Sequence, residues 1–174
     1  ANPLIINGLP DAKFYVGDIS NVDNAYYMYR PGGGAGLYKV PLGGNNVNGY
    51  TAERIIDGSS LNLTIFDFAF HPLSNFLYAV TRTGDLMQVD TIDGSYRNLG
   101  NVGETGTFGA VYFDGGGNFY ISRNDDGYIF RIDVDAVTPI AQFFAFGPSS
   151  STNDGARCAN ANIIDENSMV DFGD

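Results

Sequence analysis

The chain has 174 residues, 44% of them hydrophobic and 14% aromatic, and nine Lys and Arg against 20 Asp and Glu give a formal charge of −11. That is one domain's length with apolar side chains enough for a core; no stretch approaches the ~20 apolar residues of a membrane-inserted helix. A field of this sign repels phosphate backbones and argues against nucleic acid as a partner, and the lone cysteine, Cys158, rules out an intrachain disulfide.

The chain begins at Ala1, without Met, on an apolar run in which Pro3 to Asn7 reads as one strand. In the later repeats the equivalent place is held by residues 97–102, the last strand of a unit. The chain therefore reads as a trimmed piece that starts in mid-unit. Residues 14–56 follow as a divergent unit, with strands expected at 14–19, 24–30, 37–40 and 53–56. Between the second and third of these lies Pro31-Gly32-Gly33-Gly34-Ala35-Gly36. No Gly-Lys-Ser/Thr follows it, so it is a long hairpin turn and not a phosphate-binding loop.

The second unit is the clearest. Strands are expected at 65–70, 76–81, 85–90 and 96–102, with turns at Pro72 to Ser74, Thr83-Gly84-Asp85 and Asp93-Gly94. The third unit repeats it at 108–113, 118–122, 128–134 and 139–146. The two align without a gap at an offset of 43: Thr64 with Thr107, Phe70 with Phe113, Asn75-Phe76 with Asn118-Phe119, Gly84 with Gly127, Asp90 with Asp133. Four short antiparallel strands per ~40–50 residues is the pattern of a propeller blade. The expectation is an all-β protein: a β-propeller or propeller-like arc of about three four-stranded antiparallel blades over residues 1–147, a fragment of a larger ring. Residues 148–174 read as a linker and acidic tail, partly extended across the surface or disordered. Three blades do not close a ring, and an open arc exposes two apolar sheet faces. Blades outside this chain, a sandwich packing, or a homodimer through the end blades would each cover them.

The runs Tyr15-Val16-Gly17-Asp18-Ile19, Tyr26-Tyr27-Met28-Tyr29, Leu37-Tyr38-Lys39-Val40, Asp67-Phe68-Ala69-Phe70 and Leu77-Tyr78-Ala79-Val80 resemble a propeller-like domain of unknown function. That domain occurs in large secreted or surface-anchored bacterial proteins. Asn153-Asp154-Gly155-Ala156-Arg157-Cys158 and Asp171-Phe172-Gly173-Asp174 resemble the junction to a following GEVED-type module. The resemblance covers roughly residues 14–174 and implies a secreted or cell-surface location; it implies no activity.

Little in the chain carries reaction chemistry. His71 is the only histidine, and no GxSxG elbow accompanies it. One His and one Cys fall short of a zinc site. Asp18, Asn21 and Asp23 place three oxygen-bearing side chains in one turn-forming stretch and are the candidate Ca²⁺ ligands, although EF-hand spacing is absent. Asn124-Asp125-Asp126-Gly127 and Asp90 to Gly94 are similar but read as turns. The presumed inner strands carry almost no polar group beyond Asp67. The reading is a non-catalytic module for adhesion, ligand binding or structural display, recognising a protein or glycan surface through loops at one end of the blades. The alternative is a propeller-type lyase or hydrolase with an axial acid/base or metal site.

Overall fold

The computed structural model describes residues 5–32, 35–44, 49–61, 63–155 and 161. Residues 6–7 form a short strand, β1 (Ile6–Asn7). The first blade follows as β2 (Val16–Ser20), β3 (Ala25–Arg30), β4 (Gly36–Pro41) and β6 (Glu53–Asp57), with β5 (Tyr50–Thr51) just before its last strand. The second is β7 (Ala69–Phe70), β8 (Phe76–Val80), β9 (Asp85–Asp90) and β10 (Tyr96–Asn101). The third is β11 (Phe108–Phe113), β12 (Phe119–Arg123), β13 (Tyr128–Ile132) and β14 (Gln142–Phe146). Each is an antiparallel meander. The first strands touch in series, β2 against β7 and β7 against β11, so they line the inside of the arc and the last strands lie outermost.

Side-chain alternation explains why both faces of the middle blade are apolar. Phe68, Phe70, Leu77 and Ala79 pack on Val16, Tyr27, Tyr29 and Leu37 of the first blade. Ala69, Tyr78, Val80 and Leu86 point the other way, onto Phe108, Val111, Phe113 and Phe119 of the third. Tyr27 and Phe70 meet with ring centroids 4.7 Å apart.

The free face of the first blade is also covered. Met28, Tyr38 and Val40 are roofed by Ile6, Leu9, Phe14 and Tyr50, with Phe14 edge-on to Tyr38 at 5.5 Å. The N-terminal segment supplies part of this cover. It lies across the first blade, and β1 pairs in parallel with β5. Its apolar side chains serve a face that an open arc would otherwise leave wet.

One hydrogen bond recurs in every blade. The residue before the third strand gives its carbonyl to the amide just beyond the fourth: Gly58 N to Ala35 O at 3.1 Å, Val102 N to Gly84 O at 2.8 Å, Gly147 N to Gly127 O at 2.7 Å. At Gly84 (φ +87°) and Gly127 (φ +74°) a Cβ would stand 2.2 Å and 2.1 Å from a carbonyl oxygen of the passing chain. That is why the second and third blades have glycine at a position where the first has Ala35.

The strand expected at 65–70 shortens to β7 (Ala69–Phe70), and side chains bind the link that leads into it. The Tyr29 hydroxyl donates to Leu61 O (2.8 Å) and accepts from Leu63 N (2.9 Å), and the Asp67 carboxyl accepts from Phe68 N. Tyr29 is 1% exposed, so Tyr29→Phe leaves two buried backbone groups unpaired. We expect a loss of about 2 kcal/mol and a melting temperature lower by about 6 °C, read by circular dichroism. A melt unchanged within about 1 °C would show that the link does not depend on this hydroxyl.

Candidate functional site

Two acids line the inside of the arc. Asp18, on β2, accepts from Ile19 N (2.8 Å) and from Phe70 N on the next inner strand (2.9 Å). Asp67, just before β7, accepts from Phe68 N (2.9 Å) and from Val111 N on β11 (2.9 Å). Each carboxyl thus staples one inner strand to the next. Burial pushes Asp67 up to about 8 against the pull of the Val111 and Phe68 amides, and the Asp154 and Asp18 charges add to the rise. Burial likewise raises Asp18 against the Phe70 and Ile19 amides. At the position of Asp67 the third blade has Ala110. There the chain leaving β14 packs instead, with Gly155 so close that a Cβ would lie 2.7 Å from that of Ala110. Asn153 Nδ2 donates to Ser122 Oγ at 3.3 Å. These acids have both oxygens engaged by backbone amides, and their task is to join blades.

The structure does not gather Asp18, Asn21 and Asp23 around one point. Asp18 turns to Phe70. Asp23 accepts from Tyr27 Oη (2.7 Å) and pairs with Lys39 Nζ (2.6 Å). Burial works against the Asp23 charge, but the bonds from Lys39 and Tyr27 hold it below the usual carboxylate range. Asn21 is exposed in the turn. Among the described residues no group of three His, Cys, Asp or Glu side chains is placed to hold a metal ion. His71 packs edge-on to Phe113 at 5.2 Å and accepts from Leu73 N at Nδ1 (3.3 Å); burial lowers its pKa. Cys158 and the segment 171–174 lie outside the described residues.

The arrangement that could receive a ligand lies at one end of the blades. The links into the inner strands converge there with the β8–β9 and β12–β13 turns. They enclose a cavity of about 460 Å³ lined by Tyr15, Phe66, Arg82, Thr107, Asn124 and Asn153, within the size range of ligand pockets. Tyr15 is 65% exposed. The Arg82 guanidinium lies over the Phe66 ring, 5.8 Å from its centroid, and among the described residues Arg82 makes no ion pair. A second hollow of about 410 Å³, lined by Leu63, Thr64, Thr81 and Thr83, shares Arg82 as a wall.

Sequence reasoning missed Tyr15, Phe66 and Arg82. A signal was present in two of them: at the offset of 43, where so much matches, Phe66 falls on Gly109 and Arg82 on Asp125. A residue that the blade itself does not require is free to serve a site.

Fold and cleft together define a propeller-like arc of antiparallel β-repeats with a cavity at the loop end. The chain belongs to the family described as Repeat of unknown function (DUF6923), whose model matches residues 5–160. Among solved structures it is similar to a structural genomics protein of unknown function from Bacteroides thetaiotaomicron VPI-5482. That match has a TM-score of 0.62 and 17% identity, over 78% of this chain and 34% of that one. It is also similar to a chain of the nidogen/laminin complex, with a TM-score of 0.55 and 14% identity, over 76% of this chain and 48% of that one. This chain therefore spans about a third and about half of the two neighbours' lengths. No curated protein matches it in sequence.

Proposed function

We propose that this repeat is a non-catalytic binding module of a secreted or cell-surface bacterial protein, acting in adhesion through the cleft at Arg82. The observation that carries the reading is Arg82 itself, without an ion pair among the described residues and laid over Phe66 at the wall of the cavity. Exposed Tyr15 and the amides of Asn124 and Asn153 add an aromatic surface and hydrogen-bonding groups beside it. The buried acids that an axial catalyst would need are instead bonded to backbone amides. A structural neighbour solved as a complex of two proteins, nidogen and laminin, is in keeping with a binding role.

The test is a screen of the labelled module against glycan and surface-protein arrays, beside Tyr15→Ala and Arg82→Ala. Both variants should melt like the wild type, because neither side chain belongs to the apolar clusters between blades. Ligands held in the cleft should lose at least about tenfold in affinity, as expected when a central aromatic or Arg contact is truncated. Binding that survives both substitutions, or a wild type that captures nothing, would overturn the assignment.

A further inference from the structure

Resting on that cleft as the binding site, we infer that its ligand is a sugar bearing a carboxylate on the ring. The argument starts from charge. Other cations near carboxylates are paired with them: Lys39 with Asp23, Arg54 with Asp57, Arg123 with Glu104 and Asp126. In a chain with 20 Asp and Glu, Arg82 has no such partner among the described residues, a state it shares with Lys13, Arg30 and Arg97, but Arg82 is the one that borders both hollows. Its planar fork matches a carboxylate through two parallel hydrogen bonds.

The remaining lining selects a sugar. Thr107, Asn124, Ser151 and Asn153 surround the larger hollow, and Thr64, Thr81 and Thr83 the smaller. Thr81 and Thr83 already bond Asp85, and Asn124 and Asn153 bond Gly109 and Ser122. They offer a sugar their remaining lone pairs and N–H groups, which both donate and accept as sugar hydroxyls require. Tyr15, Phe66 and Leu63 are the large apolar side chains in the two linings. Tyr15 supplies an exposed ring face on which a pyranose can lie. The overall charge of −11 opposes any anion, so the preference must come from short-range contact with Arg82 and not from steering. One substitution should then remove it.

Calorimetry with two matched pairs tests this: trigalacturonate against its methyl ester, and 3′-sialyllactose against its methyl ester. The wild type should bind the acid of at least one pair about tenfold to a hundredfold tighter than its neutral counterpart, the span of one bidentate charged contact. Which pair responds distinguishes a uronic from a sialic acid. Arg82→Gln should bring the two members of that pair together, and Arg82→Lys should fall between, since a point charge lacks the fork. Equal binding of acid and neutral sugar, a preference that survives Arg82→Gln, or no binding of any probe overturns the inference. Tighter binding of triglutamate than of either acidic sugar overturns it in favour of an acidic peptide. If a neutral sugar binds and Tyr15→Ala abolishes it, the carboxylate fails while the cleft stands.

Discussion

Asp67→Ala should lower the melting temperature by about 10 °C at pH 6. The residue is 3% exposed, and its two oxygens receive the amides of Phe68 and Val111. Removing the carboxyl leaves both donors unpaired in a dry interface, at roughly 1–3 kcal/mol each. A total near 3–4 kcal/mol converts to about 10 °C for a chain of this size. The same group makes stability depend on pH. An aspartate in the unfolded chain titrates near ~3.9, and burial pushes Asp67 up to about 8 in the folded chain. Between those values the folded chain keeps a proton that the unfolded chain has released. Stability from this group is therefore fully present below about pH 4 and is lost as pH rises through about 8. Asp18 is shifted in the same direction. Asp23, with Lys39 and Tyr27 against it, and Asp114, bonded by Asn118, are shifted down against the cost of burial. What they contribute is lost as pH falls below about 4. The two trends together place the highest melting temperature in mild acid, about pH 4–5. Asp67→Asn cannot titrate, so its decline from pH 5 to pH 8.5 should be shallower than the wild type's. A wild type that gains stability steadily to pH 8.5, or an Asn variant with an unchanged slope, would show that Asp67 is ionised in the fold.

The blades were legible because their turns and their two-faced apolar strands recur at a fixed offset, and a repeat states its own boundaries. Gly84 and Gly127 mark the same tight crossing twice. What was not legible falls where the chain does something once. The segment before Tyr15 looks like another strand from its apolar residues alone; only packing shows that Leu9 and Phe14 roof Tyr38 and Val40. The strand at 65–70 has the right alternation, but the Phe68 amide turns to the Asp67 carboxyl, and the link before the strand is bound by Tyr29 of the first blade. The pairing of Asp23 with Lys39, from another strand, is likewise not visible in the acidic turn alone. The cleft residues were hidden for the opposite reason. Phe66 and Arg82 depart from the repeat, and departure looks like noise until a cavity gives it a place.

Phe119→Ala should cost about 3–5 kcal/mol, the usual range for an aromatic removed from a packed core, and lower the melting temperature by roughly 10–15 °C. Phe119 is 0% exposed. Its ring stacks on Phe113 at 4.7 Å and leans on Tyr78 of the middle blade at 6.2 Å, so it holds the third blade together and also to its neighbour. Its counterpart at the offset of 43, Phe76, is only partly buried, and Phe76→Ala should cost less. Where these changes act tests how stability is distributed. In a stack of repeats each unit contacts only its neighbours, and stability is close to a sum of unit and interface contributions. The interface between the first and second blades, built on Tyr27, Tyr29 and Phe70, does not include Phe119. Hydrogen exchange of the variant should therefore quicken first at amides of β11 to β13, with β3 and β4 still protected. Equal acceleration in β3, β8 and β12 would mean that the arc opens as one unit. The continuous line of Asp18 to Phe70 and Asp67 to Val111 would then set its cooperativity more than the apolar faces do, and adding Asp67→Ala to Phe119→Ala should restore blade-by-blade opening.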